Sequence, residues 1–365
     1  MFAQNQKISL RQMQALLLLQ CFGTAVLFLP AELAAESGRG CWITAAVGVA
    51  VWVGVSLLLS ALGKQNGDVV SWCKNAFGQG IGTAVVLGLV GKVLFDGACE
   101  LRIFSEVVCR SMLPHTPVWV ISLVVLTLCG LLAANGMESY GRLAEILFFF
   151  TAIPLLLVLA AVAVTAEYQR VLPPEFPSVR GFASGIGAVG VVFQGLTLLY
   201  VLFPYVQDLK KGKKGAGRAA VGAAAAVGVV LVIVTLLCLA VFGVVPLAQK
   251  LLPTLQMLER VSFSGIFLTR QDVVFLWFWM CTAMVFLSGV LLAVRHLAER
   301  LFRKTEKRRW LWGAVLVLWA VSFLPENLTE AYRLRILVSP WLQAGYLILL
   351  PLAILFLQKG GGRNA

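Results

Sequence analysis

The sequence predicts an all-α integral membrane protein with about ten transmembrane helices, because three of its features point the same way. Only 13% of the 365 residues are charged and 60% are hydrophobic, whereas soluble domains carry about 25% charged residues. The hydrophobic residues occur in runs of about 20, the length that crosses a hydrocarbon core of about 30 Å. Lysine and arginine lie mostly between these runs, as they do in the loops of membrane proteins.

The apolar segments predict one transporter-like transmembrane domain over residues 1–365. Ser9 and Gln12 match the S-x-x-Q pattern of a capping box, which places the start of the first helix there. The ten expected spans cover approximately residues 9–35, 41–63, 80–112, 117–134, 142–166, 182–207, 219–243, 272–297, 310–325 and 338–357.

The distribution of basic residues predicts that both termini lie in the cytoplasm. With an inside N-terminus, nineteen lysines and arginines fall in the inner segments and eight in the outer ones, Arg333 and Arg335 among the eight. The positive-inside rule favours that orientation, which requires an even number of spans. The net charge of +13 is therefore a topology signal, and nucleic acid is excluded as a partner.

The first and sixth spans carry glycine and proline at corresponding places. Glycine tolerates unusual backbone angles and proline removes a donor, so helices opened there would expose backbone groups to a substrate or ion at mid-membrane. Paired openings predict a five-plus-five inverted repeat, about residues 9–166 and 182–357, with discontinuous helices one and six. The helix breaks are expected at Gly23, Pro30, Gly195 and Pro204.

The third span is the most polar. Lys92, Asp96 and Glu100 recur every four residues and share one helix face. Lys92 can pair with Asp96, but Asp96 and Glu100 repel each other at the same spacing. Either the helix is buried and neutralises itself, or an acid faces a wet cavity. Our hypothesis is that Asp96 or Glu100 lines the cavity and receives the amino group of a ligand or a cation.

Other polar residues are interpreted as structural. His115 lies in a tight outer turn and His296 in a basic inner loop, so both are expected to be solvated. Thr282 and Phe286, one turn apart in span eight, either face the cavity or, as we favour, only pack. The eight cysteines form no CxxC, and the chain has no paired His/Cys set, phosphate loop or nucleophile elbow. No metal, cofactor or enzymatic activity is expected.

Several motifs resemble those of the endospore germination permeases, the B subunits of spore germinant receptors. The resemblance covers nearly the whole chain. It rests on Lys7-Ile8-Ser9 with Gln12, on Gly23 to Pro30, on the "LPxTP" turn at 113–117, on Gly136, Glu138, Arg142 and Glu145, on Phe242-Gly243, and on Phe267, Arg270 and Asp272.

This resemblance implies the ten-helix fold of amino acid–polyamine–organocation transporters, related to sodium-coupled (LeuT-like) amino acid transporters. In that fold the ligand lies between spans one, three, six and eight. Family members often carry an acid two positions after the glycine of span six, where this chain has Thr197. The implied ligand-binding positions are Gly23, Ala25, Phe95, Asp96, Thr197, Leu198, Thr282 and Phe286.

The resemblance also implies a function. The chain would be a nutrient-sensing subunit in the spore inner membrane, acting with an A subunit and a lipoprotein C subunit. A small nutrient, an amino acid in the first instance, would bind the midplane cavity and trigger germination, with passage of ions through the complex. Two alternatives stay open: an amino acid transporter that acts alone, coupled to protons or cations, and a structural scaffold subunit.

Overall fold

The chain folds into helices throughout the part that the structure describes. This computed structural model describes residues 7–23, 25–65, 67–173, 175–206, 212–260, 271–302 and 307–361. These residues contain no β-strand, and one isolated parallel bridge joins Ile8 to Val206.

The α-helices are α1 Leu10–Cys21, α2 Ala25–Ser37, α3 Cys41–Leu62, α4 Val69–Ser111, α5 Val118–Ala134, α6 Met137–Thr165, α7 Val179–Val192, α8 Leu199–Leu202, α9 Gly212–Phe242, α10 Val244–Ala248, α11 Pro253–Arg260, α12 Gln271–Phe302, α13 Lys307–Val321, α14 Leu328–Gln343 and α15 Leu350–Gly361. Short 3₁₀ segments lie at Gly38–Gly40, Tyr168–Val171, Phe193–Leu198 and Phe203–Tyr205, and a π-helical segment at Ala344–Leu349 joins α14 to α15.

Seven helical stretches in these ranges are long and apolar enough to cross a bilayer, as expected of a multi-pass membrane protein. On α6, Phe149, Phe150 and Leu157 are each more than half exposed, and contact with lipid explains that exposure. The seven stretches are Val26–Leu62, Val69–Ser111, Met137–Thr165, Val179–Tyr205, Gly215–Phe242, Phe275–Phe302 and Leu328–Leu357. Two shorter apolar helices are Val118–Ala134 and Arg309–Val321.

Polar side chains fix the start of several helices. The predicted capping box at Ser9 and Gln12 is confirmed, since each side chain bonds the backbone N–H of the other residue. Asp68 and Ser71 form an equivalent box at the start of α4. These caps satisfy backbone donors that the first turn of a helix leaves without a partner.

The helix α4 is bent near its start by Gly78. This glycine has φ 80° and ψ 173°, which lies outside the helical region and suits a residue without a Cβ. The chain therefore folds back on itself, and Gly82 packs so closely that a Cβ there would lie 2.7 Å from the carbonyl oxygen of Cys73. The predicted third span, residues 80–112, corresponds to the part of α4 that follows this bend.

Pro30 does not break its helix, contrary to our expectation, because α2 continues through it from Ala25 to Ser37. A proline cannot donate to the carbonyl four residues earlier, which here belongs to Val26. The hydroxyl of Thr254, at the start of α11, donates to that carbonyl oxygen at 2.8 Å. A side chain from a distant helix thus replaces the bond that Pro30 cannot make.

The last span begins ten residues earlier than predicted. We expected it at 338, with Arg333 and Arg335 in an outer loop. The structure starts α14 at Leu328, where Asn327 caps the helix by accepting from the backbone N–H of Glu330. Three charged side chains in the first two turns lower the local hydropathy, and they hid a helix that buries Arg335 completely.

Candidate functional site

The first helix is interrupted beside a buried hydrogen-bonded cluster. The helix α1 ends at Cys21, and α2 begins at Ala25 after Phe22 and Gly23. In the last turn of α1, Gln20 Nε2 donates to the hydroxyl of Tyr140 and to the carbonyl of Val285, the latter at 3.0 Å. The Tyr140 hydroxyl donates to the same carbonyl at 2.8 Å. Helices α1, α6 and α12 are therefore held together where the first helix stops.

The second interrupted segment lies directly against the first. After α7 the chain tightens into the 3₁₀ segment Phe193–Leu198, all of it buried. Gly195 lies in this segment, and a Cβ there would approach the carbonyl carbon of Gln20 to 2.7 Å. Only a glycine permits this approach, because backbone atoms cannot yield as a flexible side chain can. Pro204 lies in the short 3₁₀ segment Phe203–Tyr205 that follows α8.

The polar face of α4 meets the second interrupted segment through Lys92. Its ammonium lies 2.8 Å from Asp96 Oδ2 and donates to the hydroxyl of Thr197. The other carboxylate oxygen of Asp96 accepts from Ser339 of α14 at 3.2 Å. All four side chains are buried, so Asp96 is neutralised within the protein and held from two sides.

The next turn of α4 carries a second buried ion pair. Arg335 Nη1 lies 2.7 Å from Glu100 Oε2, although the angle is not that of a hydrogen bond. The Glu100 carboxylate also borders the interruption of the first helix, since a Cβ at Gly23 would lie 3.5 Å from Oε1. On another face of α4, Glu106 pairs with both Arg102 and Arg110. Each acid in this part of α4 therefore has a basic partner.

A small cavity of about 20 Å³ lies between the two interrupted segments, α4 and α12. That volume holds about one water molecule. Gln194 is 3% exposed, and its Oε1 has no hydrogen-bond partner among the described residues. An acceptor of this kind is free to accept a hydrogen bond from a water molecule or a ligand. The lining residues are Gln20, Val93, Asp96, Gln194, Gly195, Thr197, Leu198, Phe286, Gly289, Val290 and Ala293.

The structure brings only some of the predicted ligand-binding residues to this cavity. Asp96, Thr197, Leu198 and Phe286 line it, whereas Gly23 and Glu100 lie against each other outside its lining.

The remaining predicted positions lie elsewhere. Thr282 is buried and donates to the carbonyl of Trp279 on its own helix, and Phe95 is half-buried on α4 outside the lining. Ala25 begins α2, and its side chain lies outside the described residues.

Two of our interpretations of basic residues are wrong. Arg335, assigned to an outer loop, is the buried partner of Glu100. His296, assigned to a solvated loop, lies inside α12 at 6% exposure with Nδ1 2.8 Å from the hydroxyl of Tyr205. The sequence could have revealed the helical position of Arg335. Arg335, Ser339 and Gln343 recur every four residues, and so do Lys92, Asp96 and Glu100 on α4.

Two larger cavities lie elsewhere in the described part of the chain. One of about 200 Å³ lies between α1, α6, α9 and α12, and only Thr151 among its lining residues carries a polar side chain. The other, of about 530 Å³, lies at one end of the helices beside Asp68 and Arg300, whose side chains pair at 3.1 Å. Neither touches both interrupted segments, so the small central cavity is the candidate site.

Comparisons with known proteins agree with the resemblance noted in the sequence. Spore germination protein YndE of Bacillus subtilis (strain 168) is 21% identical over 343 residues, covering 93% of both chains. Spore germination protein GerQB of Bacillus cereus is 25% identical over 243 residues, 66% of both chains. Spore germination protein B2 of Bacillus subtilis (strain 168) is 23% identical over 368 residues, 96% of both chains. A family model described as spore germination protein matches residues 7–331, and the chain therefore belongs to the family of spore germination permeases.

Proposed function

We propose that this chain is a nutrient-sensing, transporter-like subunit of a spore germinant receptor. One observation carries the proposal: two interrupted helical segments meet, with Gly195 against the backbone of Gln20, around a buried polar cavity. Interrupted helices that meet in the membrane offer the polar groups that transporters use to hold substrates. The names of the relatives associate the family with spore germination.

The lining suits a small amino acid. Its ammonium would donate to Gln194 Oε1 and share the Asp96 carboxylate with Lys92. Leu198, Phe286 and Val290 supply apolar surface for a side chain. This division into a few polar groups and an apolar wall is typical of small-molecule sites. Thr197 adds a hydroxyl but no charge, so the acidic contact comes from α4 rather than from the second interrupted segment.

Binding requires the cavity to widen, because about 20 Å³ cannot hold an amino acid. The ligand would favour a wider arrangement of the helices in proportion to its preference for that state. Gly195, in direct contact with α1, would transmit such a movement between the two interrupted segments. The wider state would then lead to release of ions through the receptor complex.

The surrounding assembly follows from the family resemblance. The chain would sit in the spore inner membrane with both termini in the cytoplasm, as ten spans in two inverted repeats, residues 9–166 and 182–357. It would act with an A subunit and a lipoprotein C subunit, as B subunits of germinant receptors do.

Binding to the purified chain and germination of spores test the proposal together. Gln194→Leu removes the cavity acceptor, whereas Gln79→Leu alters an exposed side chain near the start of α4. Against a panel of single amino acids and sugars, we expect one nutrient to stabilise the wild-type chain against heat and to trigger germination. Gln194→Leu should lose both responses and Gln79→Leu should keep both. Equal responses of the two variants would contradict the cavity as the sensing site.

The second candidate function is that of an amino acid transporter that acts alone. The same cavity supports it, because transporters also bind their substrates between interrupted helices. Uptake of the nutrient into liposomes that contain only this chain would establish it, and binding without uptake supports the sensor. A scaffold subunit would instead tolerate bulky residues at Gly23 and Thr197 with normal germination.

A further inference from the structure

The ammonium of Lys92 lies where two separate elements each present an oxygen. Asp96 belongs to α4, and Thr197 belongs to the 3₁₀ segment Phe193–Leu198. The Lys92 side chain is 0% exposed and that of Asp96 is 3% exposed. A lysine pairing only along its own helix needs no contact with another element. Here the cation joins α4 to the second interrupted segment.

The groups around Lys92 Nζ resemble the ligands of a monovalent cation. A carboxylate oxygen and a hydroxyl oxygen converge on one positive centre, and Ser339 orients the carboxylate by donating to its other oxygen at 3.2 Å. Oxygen donors of this kind suit alkali cations and primary ammonium ions alike. Because the lysine reaches this point by its own side chain, the site is occupied without any ion from solution.

We propose that Lys92 is a built-in cation in a site formed by Asp96 and Thr197, and that shortening it leaves a site for a small primary ammonium ion. The wild-type chain then needs no sodium or potassium at this point, because the position is already filled. This inference goes beyond nutrient sensing and requires no nutrient, so it can fail while the proposed function stands, and the reverse.

Chemical rescue tests the inference directly. Lys92→Ala deletes three methylene groups and the ammonium, and n-propylammonium supplies atoms of the same number and kind. We would measure the midpoint of thermal unfolding of the full-length chain in detergent, at constant ionic strength with choline as the reference salt. The titrants are n-propylammonium, tetramethylammonium, sodium and potassium ions.

The wild-type midpoint should be the same in all these salts. The Lys92→Ala midpoint should be lower in choline and should rise to a plateau with n-propylammonium, at concentrations about tenfold below any effect of tetramethylammonium. Two controls separate binding from general salt effects. Lys92→Met refills the space without a charge, and Lys92→Ala with Asp96→Ala removes the carboxylate. Neither control should respond to n-propylammonium.

Three outcomes would overturn the inference. First, sodium or potassium could raise the midpoint of the wild-type chain to a plateau. Second, n-propylammonium and tetramethylammonium could raise the midpoint of Lys92→Ala equally. Third, n-propylammonium could still raise the midpoint of the variant that also lacks Asp96. If Lys92→Ala does not fold in choline, the variant is produced with n-propylammonium throughout, and recovery of folded protein only in its presence supports the site. If no condition yields folded variant, the wild-type cation titration alone decides.

Discussion

Arg335 of α14 lies 2.7 Å from Glu100 of α4, and both side chains are almost completely buried. One turn further, Ser339 of the same helix donates to Asp96. Contacts that advance by four residues on one helix and retreat by four on the other indicate antiparallel packing. The two helices therefore share a polar seam that passes beside the interruption of the first helix, where Glu100 borders Gly23.

Breaking this ion pair from one side should destabilise the chain strongly. Arg335→Leu leaves the Glu100 carboxylate without its buried cation, and Glu100→Leu does the reverse. Removing one partner of a buried pair costs about 3–5 kcal/mol, whereas replacing both by apolar residues is often nearly neutral. We expect each single variant to lower the free energy of unfolding by that amount and the double variant to recover a large part of it. Denaturant unfolding of the purified chain measures the cycle.

The matched control is the pair Arg142–Glu138, in which the Arg142 side chain is 61% exposed. Arg142→Leu should change the free energy of unfolding by less than about 1 kcal/mol. Additive effects of Glu100→Leu and Arg335→Leu would show that the two side chains do not depend on each other.

Adding a methyl group at Gly195 should force the two interrupted segments apart. The new Cβ of Gly195→Ala would lie 2.7 Å from the carbonyl carbon of Gln20 and 2.9 Å from the amide nitrogen of Cys21. Overpacking of this kind costs about 1–3 kcal/mol. We expect a lower midpoint of thermal unfolding and loss of germination. Gly91→Ala on α4, where no atom of another described element lies within 4 Å of the new Cβ, should behave like the wild type.

The bond from Thr254 to Val26 should matter only while residue 30 is proline. Thr254→Val leaves the Val26 carbonyl without a donor, and a buried unpaired carbonyl costs about 1–3 kcal/mol. Pro30→Ala restores a backbone N–H that can donate to that carbonyl, as in an ordinary helix. We therefore expect Thr254→Val to destabilise the wild-type chain and to be nearly neutral in the Pro30→Ala background. The free energy of unfolding is measured for the wild type, the two single variants and the double variant. If Thr254→Val lowers it equally in both backgrounds, the Thr254 hydroxyl does not replace the bond that Pro30 cannot make.

The predicted orientation places the turn at His115 outside and the turn at Lys64 inside. Both residues are exposed, and the eight native cysteines are buried or half-buried, so an introduced thiol should dominate labelling. A membrane-impermeant maleimide should label His115→Cys in intact cells and Lys64→Cys only in inverted vesicles. The opposite pattern would place both termini outside the cytoplasm.

The sequence predicted the bounds of some helices well but did not predict which side chains they would contact. The bounds of α3 and α5 lie within one residue of those predicted, because long apolar runs and flanking turn residues determine them locally. The start of α14 was missed because Glu330, Arg333 and Arg335 resemble a loop until Glu100 is known to lie opposite.

The candidate site was predictable only in part for the same reason. The four-residue spacing of Lys92, Asp96 and Glu100 identified the polar face of α4. Local spacing could not show that Thr197 and Ser339 would meet Lys92 and Asp96 from two other helices. Nor could it identify Gln194, whose Oε1 has no hydrogen-bond partner within the described part of the chain. Such relations depend on tertiary packing rather than on neighbours in the chain.

In the proposed sensor, the narrowness of the central cavity would determine the response to a dilute nutrient. If only a small fraction of molecules is wide enough to accept a ligand, the apparent dissociation constant exceeds the intrinsic one by the inverse of that fraction. Each tenfold decrease in the population of the wide form then makes the free energy of binding less favourable by about 1.4 kcal/mol. Such a sensor would not respond to trace concentrations of nutrient. Substitutions that raise the population of the wide form, at positions that do not contact the ligand, would lower the nutrient concentration needed for a response.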